Sequence, residues 1–133
     1  MRHSEPHPAP KGELIQQIIP LPQDTNANGD IYAGWLVNHM DLAASNMAHR
    51  ISSGRTATVA IESMEFISPV RLGARVAFYG QLMDIGRSSM KVKIEVWTRD
   101  DNSNHPRKVT EALFVSVAID KQGRIREVPD QPI

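Results

Sequence analysis

Apolar and polar residues alternate with a period of two along much of the chain after residue 55. The clearest case lies within residues 88–99, where every second position is apolar: Met90, Val92, Ile94 and Val96. This period is typical of a strand with one face against a core and the other face toward solvent. Long β-branched and aromatic stretches predict four such strands, at residues 56–68, 74–86, 88–99 and 107–120.

One segment has a helical period instead. Residues 35–52 contain no proline or glycine, and apolar residues recur there at intervals of three and four: Leu36, Met40, Ala43, Met47 and Ile51. This stripe predicts a helix of about five turns with one face in the core. Alanines beside the stripe allow a sheet to approach closely, so we expect the helix to be central and mostly buried.

A short β-compatible run, Glu13 to Ile19, precedes the helix and ends at Pro20 because proline cannot extend a strand ladder. The predicted element order is therefore β-α-β-β-β-β. The connections between the last four strands are short, which favours an antiparallel meander. A single apolar helix and five long strands are satisfied when the sheet curls around the helix, which is an α+β arrangement.

The length of 133 residues is that of one domain. We place this domain at residues 12–129. Residues 1–11 hold three of the nine prolines, and we expect them to form a flexible tail. His3 and His7 in that tail are interpreted as solvated side chains and not as metal ligands.

Charge and composition narrow the classes of partner. Lysine plus arginine and aspartate plus glutamate both number 15, so we expect no general attraction to nucleic acid or to acidic membranes. The chain has no cysteine, which removes disulfides and thiolate nucleophiles. No stretch approaches the about 20 apolar residues of a membrane span, and no export signal is evident. We expect a cytoplasmic protein.

Asp41 is the most informative single residue. Helical spacing places it between Val37 and Ala44, on the apolar side of the helix, so we expect its carboxylate to be partly desolvated. Burial costs a charge heavily unless it is paired or hydrogen-bonded, and carboxylates kept in that state are enriched at active sites. The alternative is a structural role, in which Asp41 satisfies a neighbouring donor.

The turn-forming segment Asp24 to Asp30 lies just before the helix. Its spacing matches the opening of a calcium loop, but Trp35 stands where such a loop requires a bidentate glutamate, so calcium binding is not expected. A second interpretation is a glycine-bent loop leading to Gly34 and the helix start. Unpaired N–H groups there can receive a carbonyl oxygen that gains negative charge, in front of the Asp41 carboxylate. An ordinary loop with a helix cap is the alternative.

Four separated blocks together resemble one family. They are DTNANGDIYAGWLVNHMD (24–41), TVAIESMEFISPVRLG (58–73), GRSSMKVKIEVW (86–97) and ALFVSVAID (112–120). In this order they are similar to the bacterial acyl-CoA hydrolases of the YciA type and to related cytosolic acyl-CoA hydrolases. The resemblance covers residues 13–129.

The resemblance implies a hotdog fold, in which a five-stranded antiparallel sheet wraps one long central helix, and an acyl-CoA thioesterase activity. It also implies a homodimer that joins two sheets side by side, commonly assembled into a hexamer as a trimer of dimers. Each active site would lie at the dimer seam. Coenzyme A is implied as part of the substrate and product, with no cofactor and no metal.

The resemblance also assigns roles to residues. The family's catalytic aspartate corresponds to Asp41 and its catalytic asparagine to Asn26, with Asn28 as a neighbour. Asp41 would act as a general base on a water or attack the thioester directly, and the sequence does not choose between these routes. Asn26 and the backbone N–H groups of the helix entrance, including Gly34 and Trp35, would hold the carbonyl oxygen.

Two further regions are predicted to bind substrate. Thr58, near the start of the second strand, is expected to reach the site from the partner subunit. The turn after Gly86 offers cations and hydroxyls that suit the phosphates of coenzyme A: Arg87, Ser88, Ser89 and Lys91. The alternative for this turn is a hairpin with a charged rim.

The sequence lacks the motifs expected of several other classes of protein. No GxSxG elbow, P-loop or dinucleotide fingerprint occurs. An enoyl-CoA hydratase of the same fold would place an Asp/His pair at the helix entrance, which Asn38 and His39 do not resemble. A noncatalytic acyl-CoA regulator would carry a further domain, for which this length leaves no space. His39 and His49 are too far apart on the helix for a shared metal and are interpreted as surface or interface residues.

Overall fold

The structure, a computed structural model, describes residues 8–99 and 105–132, so the predicted flexible tail lies mostly outside the described residues. The predicted element order is confirmed. The elements are β1 (Glu13–Ile18), α1 (Ala33–Ser52), β2 (Thr56–Phe66), β3 (Arg75–Ile85), β4 (Ser89–Arg99) and β5 (Arg107–Ala118), with a short 3₁₀ turn at Pro22–Asp24. No helix in the described ranges is both long and apolar enough to span a membrane.

The five strands form one antiparallel sheet in the order β1-β3-β4-β5-β2. The meander prediction is confirmed for β3, β4 and β5 but is wrong for the step from β2 to β3. β2 pairs with β5, and the connection at residues 67–74 crosses the ends of two strands to reach β3. A short connection limits the distance between two strands, but it does not decide which sheet edge each strand joins.

The helix α1 lies across the inner face of the curled sheet. Its buried residues are Leu36, Met40, Ala43, Ala44, Met47, Ala48 and Ser52, which match the predicted stripe except that Ile51 is only partly buried. They pack against fully buried strand side chains such as Phe78, Ile94 and Phe114. Each large apolar side chain buried here contributes about 1.5–3 kcal/mol, so the single helix and the sheet stabilise each other. The predicted arrangement of one central helix wrapped by a five-stranded antiparallel sheet is confirmed.

The outer face of the sheet is less exposed to solvent than the alternation of apolar and polar residues predicts. Glu95 and Trp97 on β4 are 3% and 4% exposed, and the Trp97 Nε1–H donates to Glu95 Oε1 over 2.8 Å. Lys93 and Lys108 lie between Glu95 and Glu111 and form a neutral network of ion pairs with them. The hydrogen bond from Lys108 lowers the pKa of the Glu111 carboxyl. This network covers the outer face with paired charges.

The crossing connection between β2 and β3 also positions the loop that leads into α1. The Ile31 N–H donates to the Val70 carbonyl over 2.8 Å, and Asp30 forms a β-bridge with Arg71. Val70 itself is 1% exposed. The loop before the helix is therefore held in place by hydrogen bonds to the connection between β2 and β3.

Candidate active site

Asp41 lies on the flank of α1 that faces the edge strand β2. It is half-buried, as predicted, and its Oδ1 accepts a hydrogen bond from Thr58 Oγ1 over 2.6 Å. This is the length of a strong bond from a hydroxyl to a carboxylate. Thr58 belongs to the same chain as Asp41, so this contact does not require Thr58 to come from a partner subunit as the sequence analysis expected.

Asn26 organises a tight turn before the helix. Its side-chain Oδ1 accepts from the backbone N–H groups of Asn28 (2.9 Å) and Asp30 (3.1 Å), while its own backbone N–H donates to the Asp30 carbonyl. The side-chain amide Nδ2 makes no hydrogen bond to a residue in the described ranges. The turn therefore uses the acceptor of the Asn26 side chain and leaves its donor available.

The start of α1 supplies two more donors. Tyr32 precedes the helix without a side-chain cap, and its carbonyl accepts from the N–H of Trp35 (3.1 Å) and of Leu36 (3.3 Å). The N–H groups of Ala33 and Gly34 have no acceptor among the residues that the structure describes, and both residues are exposed. Of the predicted helix entrance, Ala33 and Gly34 thus offer free donors, whereas the Trp35 N–H does not.

The Trp35 ring turns toward the core, where its centroid lies 4.4 Å from that of His39 and 6.2 Å from that of Phe78. His39 is half-buried, and its Nδ1 lies 3.2 Å from Gln16 Nε2, which makes Nδ1 the acceptor of the pair. Burial lowers the pKa of His39, and the nearby Asp24 carboxylate opposes that shift. His39 is therefore partly covered by its own chain, whereas His49 is exposed.

The two halves of the predicted site lie at different levels of α1. Gly34 and Asp41 share a helix face, but seven residues at a rise of 1.5 Å separate them by about 10 Å along the axis. A thioester carbonyl must contact its oxyanion donors and its base within about 3–3.5 Å each. Within one chain, the free donors and the Asp41 carboxylate therefore lie at different levels of the helix.

The turn predicted to bind phosphates lies at the end of the sheet nearest Thr58. The Arg87 side chain is highly exposed and forms an ion pair with Glu127, with its Nε 2.7 Å from Oε1. Ser88 and Ser89 use their backbone carbonyls to accept from Ala118 and Gly86. Glu127 was missed by the sequence analysis, because no spacing rule joins a turn to a residue 40 positions later.

An apolar groove of 320 Å³ opens beside the first turn of α1. Its lining residues are Ile31, Ala33, Leu36, Phe66, Ile67, Ser68, Pro69 and Val70. Phe66 and Ile67 are 52% and 54% exposed, which is unusual for large apolar side chains next to a groove. No group of three or more His, Asp or Glu side chains that could hold a metal lies within the described ranges.

Comparison with known proteins defines the class. A family model described as the thioesterase superfamily matches residues 28–104. The chain is 45% identical over 122 residues to an uncharacterised acyl-CoA thioester hydrolase of Haemophilus influenzae, covering 90% of this chain and 79% of that one. It is 40% identical over 129 residues to the acyl-CoA thioester hydrolase YciA of Escherichia coli strain K12, covering 95% and 98%. The chain belongs to the thioesterase superfamily, and the YciA-type resemblance is confirmed.

Solved structures agree. HI0827, described as a hexameric broad specificity acyl-coenzyme A thioesterase, superposes with a TM-score of 0.86 at 43% identity, covering 93% of this chain and 86% of that one. Cj0915, a hexameric hotdog fold thioesterase of Campylobacter jejuni, superposes with a TM-score of 0.83 at 29% identity, covering 89% and 91%. The hotdog fold predicted from the sequence is thereby confirmed.

Proposed function

We propose that this chain hydrolyses acyl-CoA thioesters to a carboxylic acid and free coenzyme A, with Asp41 as the catalytic carboxylate. The observation that carries the proposal is the 2.6 Å hydrogen bond that holds a half-buried Asp41 against Thr58. The family relationship supports it, because the relatives at 40% and 45% identity are named as acyl-CoA thioester hydrolases.

Asp41 has one carboxylate oxygen free for chemistry. Thr58 occupies Oδ1, so Oδ2 can take the proton of a water that attacks the thioester carbon, or can attack that carbon itself. In either route the C–S bond breaks, and the departing thiolate of coenzyme A takes up a proton. In the second route the acyl group remains on Asp41 as an anhydride, which water then hydrolyses to release the carboxylic acid. No cofactor enters the reaction.

The carbonyl oxygen would be held by the free donors at the helix start. These are the N–H groups of Ala33 and Gly34 and the Nδ2 of Asn26, each of which carries partial positive charge. A Cβ added at Gly34 would meet nothing within 4 Å in the chain, so the fold itself does not require glycine there. A close approach by substrate or by a second subunit explains this glycine.

The active site would be shared between two copies of the chain. Gly34 and Asp41 of one chain are about 10 Å apart along the helix axis, so we infer that a second copy brings its own donor end to Asp41. β2 is an edge strand with large apolar side chains exposed beside Thr58, namely Val59 at 58% and Ile61 at 43%. Exposed apolar edge strands favour pairing with another chain. We therefore place the dimer seam at β2, with a trimer of dimers as in the hexameric relatives.

The remaining predicted contacts extend this site. The apolar groove beside α1 would take the acyl chain, because its walls are aliphatic and aromatic. Arg87, with Ser88, Ser89 and Lys91, would bind the phosphates of coenzyme A, and phosphate would compete with Glu127 for the Arg87 guanidinium.

Thiol release from short, medium and long acyl-CoAs tests the proposal. Asp41→Asn keeps the shape and the Thr58 contact but removes the base. We expect kcat to fall by about 10²- to 10⁴-fold with KM nearly unchanged. Asp84→Asn, an exposed carboxylate on β3, is the matched control and should keep wild-type kinetics. A wild type that binds acyl-CoA without releasing thiol would instead indicate the noncatalytic regulator.

A further inference from the structure

Ser116 carries a buried hydroxyl that makes no hydrogen bond within the described residues. It lies on β5 and is 1% exposed, and its Oγ has no hydrogen-bond partner among the described residues. Its neighbours on the same face, Phe114 and Ala118, are fully buried and apolar. An unpaired hydroxyl in such surroundings is destabilising.

The strand register places Ser116 next to the catalytic pair. Ser116 stands directly opposite Thr58 on β2, and Thr58 Oγ1 donates to Asp41 on the helix. Side chains of directly opposed residues share one face of the sheet, with Cβ atoms about 4.5–5.5 Å apart. Both hydroxyls therefore lie under the helix. Ser116 Oγ makes no hydrogen bond to a described residue in its present rotamer, so a pairing with Thr58 requires another rotamer of Ser116.

Thr58 has acceptor capacity to spare. Its single hydroxyl proton is used on Asp41, but the same oxygen carries lone pairs that can accept a second hydrogen bond. We propose that Ser116 is a positioning residue of the site, whose hydroxyl donates to Thr58 Oγ1 while Thr58 donates to Asp41. This inference rests on the proposed function, since it assigns Ser116 to the same carboxylate.

The consequence of this chain of hydrogen bonds is orientation. A Thr58 held from behind keeps one rotamer, and Asp41 then presents its free oxygen in one direction. Successive hydrogen bonds in a buried site also polarise each other, so the loss of the first link weakens the second. Ser116 contacts no substrate in this arrangement and acts only through Thr58.

A double-mutant cycle tests the inference with Ser116→Ala, Thr58→Val and the double variant. We expect Ser116→Ala to lower kcat about threefold to tenfold with KM unchanged, and to have no further effect when Thr58 is already valine. The control is Thr110→Val, a fully buried hydroxyl on the same strand that donates to the Glu65 carbonyl. Because Thr110 and Thr58 are not expected to be coupled, their fold-changes in kcat should multiply in the double variant.

Urea unfolding of the same variants supplies a readout that does not depend on activity. Coupling between positions 116 and 58 in the free energy of unfolding supports the pair even if the wild type releases no thiol, in which case the proposed function alone fails. An active enzyme in which Ser116→Ala keeps full kcat, or in which the two substitutions act independently in both assays, overturns the positioning role.

Discussion

Among single residues, Gly34 shows how stability and function can favour different side chains. It lies in the first turn of α1, is exposed, and has open space where a Cβ would stand. Glycine within a helix is less stable than alanine because the unfolded chain loses more freedom on folding. The residue is therefore expected to serve the approach of a ligand or a second chain.

We predict that Gly34→Ala raises the free energy of unfolding by up to about 1 kcal/mol and lowers kcat/KM about tenfold or more, because the new methyl group crowds the oxyanion donors. Urea denaturation and thiol release measure the two effects. Gly123→Ala is the contrasting control. Its φ of 82° strains alanine, so it should lose stability and keep activity. A parallel gain or loss of both properties at Gly34 would contradict the interpretation.

The residue scale also marks where sequence reasoning ends. The helical period correctly predicted that Asp41 is half-buried, since that depends only on its neighbours along α1. Thr58 was expected to reach the site from a partner subunit, which the helical period does not address, and here it contacts Asp41 of its own chain. That contact depends on β2 lying beside the helix, which is decided by strand pairing and not by local pattern.

Among the elements, the C-terminal segment after β5 is bound to the end of the helix. Arg126 donates to the carbonyls of Ser52, Arg55 and Ile119 over 2.8–3.3 Å, and also to Ser52 Oγ. Ser52 is the fully buried last residue of α1. One guanidinium thus binds carbonyls at the end of α1, just before β2 and just after β5.

We predict that Arg126→Ala lowers the free energy of unfolding by about 2–4 kcal/mol, because it leaves several acceptors without their charged donor. Arg126→Lys should recover little, since an ammonium cannot reproduce the planar fork. Arg124→Ala, an exposed arginine two residues earlier, should stay within about 0.5 kcal/mol of wild type. Equal urea midpoints for the Arg124 and Arg126 variants would contradict this stabilising role of the Arg126 hydrogen bonds.

The positions of the helix and strands along the chain were largely predictable, whereas the pairing of the strands in the sheet was not. The observed helix begins two residues earlier than predicted, at Ala33, and the strands end within two residues of their predicted limits. The pairing of β2 with β5 was missed because residues 67–74 look like a hairpin connection. Strand pairing minimises the exposed edges and apolar surface of the whole sheet, which no local segment encodes.

For the whole molecule, the separation of the donor end from the carboxylate end makes assembly testable. We predict that chains carrying Asp41→Asn and chains carrying Asn26→Ala are each inactive alone but recover activity when co-expressed. In a mixed dimer, one of the two shared sites is intact, so random pairing restores about a quarter of wild-type activity. Thiol release per chain measures it.

The same mixture distinguishes the alternatives. If each site were built within one chain, both sites of the mixed dimer would carry one substitution. Activity would then stay at the level of the separate variants. The control is a mixture prepared by combining the purified variants without subunit exchange, which should remain inactive. The resemblance assigned both Asn26 and Asp41 to the site, but a single chain could not show from which copy each one comes.

The packing of Trp35 against His39 also gives the chain an optical reporter of its own. The two rings lie 4.4 Å apart at the start of α1, and a protonated imidazole quenches indole emission, whereas a neutral one does so far less. Because burial lowers the pKa of His39, the neutral imidazole is favoured near pH 7, and we expect little quenching of Trp35 there. In a Trp97→Phe background, the emission of Trp35 would follow events at the helix entrance without any attached label.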